Sequence, residues 1–193
     1  MAPRSIIYIM GIHNLFKLIK EYAPASLRTV KLAELSGWKV GIDASIAVYQ
    51  WASIGASIGI TNHIPGCFYR TSCLLLAGIS PVFVFDGPPP QMKRATLEQR
   101  RAVAKVKLGK DVFDEVEYLL HLLGVGTVMA ASEAEAQAAH YTHHGLDAVA
   151  TEDMDALAFG ANMMLRGLDC KGKATLIDRA LVLEGLGLNQ LEF

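Results

Sequence analysis

The sequence predicts an α/β domain with a central, mostly parallel sheet flanked by helices, and three observations carry the prediction. Short apolar runs alternate with longer stretches of helical periodicity, the alternation that builds a parallel sheet. Three of those runs, "KVGID" (39–43), "PVFVFD" (81–86) and "LDAVAT" (146–151), have strand character and lead into acid at their carboxyl ends. Gly78, Gly124 and Gly145 fall where helical periodicity stops, as glycines that close helices do.

Taken in order, the chain reads as a helix over 13–22, the strand 39–43, helices over 44–53 and 63–77, the strand 81–86 and a basic helix over 91–107. A tight turn at Gly109 follows, then a helix over 111–123, a strand in "GTVMAA", a helix over 133–144 and the strand 146–151. With 193 residues and 52% apolar content, the chain can bury about 70% of its unfolded surface in one domain. A net charge of −1 excludes global attraction to nucleic acid or anionic lipid, so any such binding needs a local patch. Cys67, Cys73 and Cys170 form no CxxC pair and read as buried thiols of a reducing compartment. Gly11, His13 and Asn14 interrupt the first apolar run, which argues against a signal peptide. The run "CLLLAGISPVFVF" is shorter than the roughly 20 residues that span a bilayer.

The acids carry the chemistry. Asp43, Asp86, and Asp153 with Asp155 follow the three strands, and Glu133 and Glu135 follow "GTVMAA". Ligand sites of open α/β sheets lie outside the carboxyl ends of the strands, so these side chains aim at one crevice. Each has a plain structural reading. Ser132 with Glu135 fits a capping box, Asp86 before Gly87 fits a turn, and Asp43 or Asp153 fits a helix N-cap. Together the six would repel one another, by roughly 4 kcal/mol for a pair 4 Å apart at an effective dielectric near 20. Divalent cations would offset that repulsion, and oxygen-only ligation selects Mg²⁺ or Mn²⁺ over zinc. His140, His143 and His144 are assigned to the surface of the 133–144 helix.

From Lys93 to Lys110 the sequence carries seven Lys or Arg against one Glu, a local charge of +6. Lys93 and Arg100, like Arg94 and Arg101, stand seven residues apart and share a helical face. A solvated cationic helix is the plain reading. Beside an acidic crevice the same helix could hold a phosphodiester backbone.

The segments "MGIHNLFKLIKEYAP", "GIDASIAVYQW", "CFYRTSCLLLAGISPVFVFDGPPPQMKRATLEQRR", "ASEAEAQAA" and "TEDMDALAFG" closely resemble, in wording and order, the flap endonuclease branch of the structure-specific 5′ nucleases. The resemblance covers nearly all of residues 10–193 and implies a PIN-like nuclease core. It implies that Asp43, Asp86, Glu133, Glu135, Asp153 and Asp155 hold two Mg²⁺ ions, replaceable by Mn²⁺, for two-metal phosphodiester hydrolysis with ions about 3.5–4 Å apart. It implies that Lys93 and Arg100 contact the scissile phosphate and that Tyr49 stacks on a substrate base. Gly11 matches a further family position, and Arg94 and Arg101, paired on one face of the basic helix, complete the expected DNA contacts.

The implied substrate is DNA with a 5′ flap or a single-to-double-strand junction, met in replication and repair by a monomer in the nucleus, with no membrane. Residues 1–9 form an extension, 10–102 an N-terminal nuclease region, 103–113 a shortened arch and 114–193 an internal nuclease region. Pro88 stands where the family commonly has a lysine. The family's later aspartate, its potassium-binding helix-turn-helix and its sliding-clamp tail have no counterpart in "GLNQLEF". The rival expectation is a branched-DNA-binding module that does not cut.

Overall fold

The computed structural model describes residues 12, 14–57, 63–88, 108–168, 170 and 172–193. Helix α1 (Leu15–Tyr22) leads through a 3-10 turn into β1 (Leu27–Lys31), and a second 3-10 turn precedes β2 (Lys39–Asp43). Then come α2 (Ala44–Ser57), α3 (Ile64–Leu76), β3 (Ser80–Phe85), α4 (Lys110–Leu122) and β4 (Gly126–Met129). The chain closes with α5 (Ala134–Tyr141), β5 (Ala148–Ala150), α6 (Asp155–Ala158), β6 (Met163–Arg166), β7 (Lys173–Asp178) and α7 (Arg179–Leu186).

The sheet has the order β1-β7-β6-β5-β2-β3-β4. Strands β4, β3, β2, β5 and β6 are parallel, and β7 and β1 add an antiparallel edge. From β2 the chain winds outward through β3 to β4, then returns to the other flank of β2 with β5. The direction of winding reverses between β2 and β5, which makes their carboxyl ends the switch-point crevice of a doubly wound sheet.

Two close approaches set the crevice floor. Gly41, in the middle of β2, leaves room for α5: a β-carbon there would stand 2.7 Å from Leu146 Cδ1 and 3.5 Å from Ala138 Cβ. The alanines of "ASEAEAQAA" complete this fit, with Ala134, Ala138 and Ala139 buried against Val84 and Val149. Gly87 allows the loops after β3 and β4 to cross. Its N–H donates to Ser132 O at 2.7 Å, and a β-carbon would lie 2.1 Å from Ala130 O.

The structure corrects several expectations. Strands β1, β6 and β7 and helix α7 escaped the sequence reading: "MMLR" has little β propensity and is a strand because β5 and β7 flank it. The helix expected over 111–123 runs from Lys110 to Leu122 as α4, and Gly109, at φ −79°, is its N-cap. The helix predicted over 133–144 stops at Tyr141, so His143 and His144 sit in the following turn, which closes at Gly145 with φ +117°. All three histidines are exposed. Cys67 is buried, but Cys73 and Cys170 are only partly so. The basic helix over 91–107 lies outside the described residues. Among the described residues, no helix is long and apolar enough to cross a membrane.

Candidate active site

Strand β2 delivers Asp43 at its last position, and the side chain doubles as the N-cap of α2, accepting from Ile46 N–H at 2.9 Å. It is 6% exposed. Burial first, then the neighbouring carboxylates Asp86 and Asp153, raise its pKa to about 7, against the backbone N–H groups of Ile46 and Ser45 that favour the anion. The helix-cap and functional readings of Asp43 therefore coincide.

Asp86 follows β3 and is held from two sides. Ser45 Oγ donates to it at 2.6 Å and Ala134 N–H, at the start of α5, at 2.9 Å. Its role reaches beyond the turn that its sequence suggested, because it ties α2 and α5 to the end of β3. Glu133 is the N-cap residue of α5, one position before that donor, and makes no side-chain cap bond.

Glu135 does not form the expected capping box with Ser132. It accepts from Thr151 Oγ1 at 2.9 Å, while Ser132 Oγ is buried without a partner. Burial first, then Asp153, Asp43 and Asp155, raise the Glu135 pKa to about 9, with the Thr151 hydroxyl opposing. Thr151 also accepts from Asp153 N–H at 3.1 Å, and Asp153 accepts from Asp155 N–H at 3.0 Å. Asp153 is 4% exposed. Asp155 in turn accepts from Ile12 N–H at 2.8 Å, which brings the N-terminal segment to the crevice.

Asp43, Asp86, Glu135, Asp153 and Asp155 are thus linked through one field of mutual repulsion, at or just beyond the carboxyl ends of four adjacent strands. Thr151 and Ser45 position them and escaped the sequence reading; the placement of Thr151 directly between β5 and "EDMD" was the available signal. Glu152 turns away, accepting from Arg166 Nε at 3.1 Å and Gly167 N–H at 2.8 Å.

The donor set fits a hard divalent cation by chemistry: it is all oxygen, and burial together with the neighbouring carboxylates raises the pKa of two of its members. Its spacing is wider than a coordination shell, since no three His, Cys, Asp or Glu side chains among the described residues form a ready metal-binding group. Tyr49 is exposed on α2, six residues beyond Asp43, and meets Phe113 of α4 edge-on at 6.3 Å. Gly11, Lys93, Arg94, Arg100 and Arg101 lie outside the described residues.

Comparison with known proteins adds the following. The XPG N-terminal domain matches residues 10–107 and the XPG I-region residues 124–193. Flap endonuclease 1 of Chlamydomonas reinhardtii is 37% identical over 95% of this chain and 57% of its own length. A probable flap endonuclease 1 homolog of Danio rerio is 40% identical over 95% of this chain and 55% of its own. The catalytic core of Rad2, solved in complex with DNA substrate, superposes with a TM-score of 0.80 at 32% identity, over 94% of this chain and 59% of that one. The chain spans little more than half the length of the curated relatives it matches.

Proposed function

The chain belongs to the flap endonuclease branch of the structure-specific 5′ nucleases, and on that premise we propose that it hydrolyses phosphodiester bonds of branched DNA at a 5′ flap or a single-to-double-strand junction. The observation that carries this reading is the gathering of Asp43, Asp86, Glu135, Asp153 and Asp155 at the switch point of the sheet, where burial and mutual repulsion raise Asp43 to about 7 and Glu135 to about 9. Such a site favours whatever brings positive charge into it.

These five and Glu133 would hold Mg²⁺, with Mn²⁺ as a substitute. When bound, two such ions supply the charge that activates water and stabilises the leaving oxygen. The protein's own part is to hold the acids in place: Ser45 and Ala134 N–H fix Asp86, and Thr151 fixes Glu135. We assign Lys93 and Arg100 to the scissile phosphate, Tyr49 to stacking on a base, and Gly11, Arg94 and Arg101 to further DNA contacts. We extend the reading to a role in replication and repair, as a monomer in the nucleus.

The deciding experiment is cleavage of a labelled 5′-flap DNA in Mg²⁺ by the protein and by Asp153→Asn. Cleavage that needs the metal and disappears with the substitution is the expected result. Flap binding by the unsubstituted protein without cleavage would leave the non-cutting DNA-binding module as the function.

A further inference from the structure

One face of the antiparallel edge is only partly covered. There Leu27, Ile177 and Met164 form a cross-strand row and pack with Leu15 and Ile19 of α1. Two residues on along each strand, on the same face by the pleat, the next row is Thr29, Thr175 and Arg166. Beyond it, Lys31 stands directly opposite Lys173, both exposed. Like charges in a direct cross-strand pair destabilise it, so folding of the edge does not call for two lysines there.

Helix α1 adds another cation. Lys20 Nζ lies 4.6 Å from the centre of the Phe16 ring, and the Arg166 guanidinium 4.2 Å from the same ring. One aromatic thus holds two cations beside an open cleft of about 470 Å³ that Thr29 and Thr175 also line. Glu152 and Glu34, the carboxylates described beside it, already take guanidinium groups, Arg166 at 3.1 Å and Arg28 at 3.8 Å. No ion pair among the described residues involves Lys20, Lys31 or Lys173.

The strip is continuous with the catalytic rim. Arg166 ends β6, Lys31 ends β1 and Lys173 begins antiparallel β7, so all three lie at the end of the sheet that carries Asp43. Glu152, bonded to Arg166, immediately precedes Asp153. By strand spacing, β6 is about 10 Å and β1 about 19 Å from β2.

We infer that the strip of Lys20, Lys173 and Lys31, which flanks the Arg166–Glu152 pair, binds the phosphodiester backbone of a DNA strand, carrying it from the carboxylate crevice across the antiparallel edge of the sheet. This inference rests on the nuclease reading and adds to it a strand path across the antiparallel edge. Lys31→Glu tests it through two readouts. The substitution gains a cross-strand ion pair with Lys173 but sets a second carboxylate near Glu34, which accepts from the residue-31 N–H at 2.8 Å, so the melting temperature should hold, while binding of a fluorescent 5′-flap DNA without divalent ions should weaken about ten-fold at moderate salt. Lys31→Ala with Lys173→Ala should lower the slope of log affinity against log salt by about 1.4, near 0.7 for each lost contact to a single strand. Unchanged affinity and slope in both variants, with the unsubstituted protein binding the flap, would overturn the strip alone. No flap binding by the unsubstituted protein, with or without Mg²⁺, would overturn the nuclease reading and the strip with it.

Discussion

Glu152 and Asp153 are consecutive residues with opposite surroundings. Glu152, half-exposed, faces the edge of the sheet and is neutralised by Arg166 and Gly167 N–H. Asp153, buried, faces the switch point, where its carboxylate accepts from Asp155 N–H and its electrostatic neighbours include Asp43 and Glu135. One peptide unit separates an acid paired with a guanidinium from an acid gathered with other carboxylates. The difference shows how to tell a structural carboxylate from a chemical one in this fold: the first is paired one-to-one with a cation, and the second is gathered with other carboxylates at the end of the sheet.

Exchanging the two acids for their amides gives the largest expected contrast. Asp153→Asn should lower flap cleavage by about 10²–10³-fold, the scale at which loss of a preorganised charge acts on a transition state. Glu152→Gln should leave cleavage within a few-fold of the starting protein and cost about 1 kcal/mol of stability, since its ion pair is partly exposed. Equal losses of cleavage from both would erase the contrast between the two positions.

The pH dependence should separate the regions next. A carboxyl whose folded pKa is raised stabilises the fold fully below its unfolded value, and that stability is lost as pH rises through the folded value. For Asp43 the window runs from near 3.8 to about 7, and for Glu135 from near 4.5 to about 9. Stability without metal should therefore fall across the neutral range, with Asp43 worth a few kcal/mol at about 1.4 kcal/mol per pKa unit. Denaturant melts at stepped pH check this, and Asp43→Asn should flatten the lower part of the fall. Mg²⁺ must displace those protons, so its stabilising effect should grow with pH and reach about 2.7 kcal/mol at a concentration 100 times its dissociation constant. A thermal shift that is absent at every pH would count against the metal site.

The smallest effect belongs to Thr151, whose hydroxyl donates to Glu135 and accepts from Asp153 N–H. Thr151→Val should cost about 1 kcal/mol and extend the alkaline end of the pH window, because the hydroxyl favours the Glu135 anion. If the window stays in place, Thr151 serves packing rather than the charge of the crevice.

Local pattern alone determined the alternation of strands and helices, the stops at Gly78, Gly124 and Gly145, the strand 39–43 and the run of acid after each central strand. These features rest on interactions between near neighbours in the chain, and α/β architecture then fixes which end of the sheet the acids occupy. Only the tertiary structure decided which donor each acid receives. Asp86 is held from Ser45 and Ala134, 41 and 48 residues away. Glu135 exchanges the nearby Ser132 for Thr151, 16 residues on, and Glu152 leaves its acidic neighbours for Arg166. The antiparallel edge was equally illegible, because "LRTVK" and "MMLR" carry weak local signals and become strands through partners on β7. Strand order sets those meetings, and strand order is a property of the whole packed core rather than of any window along the chain.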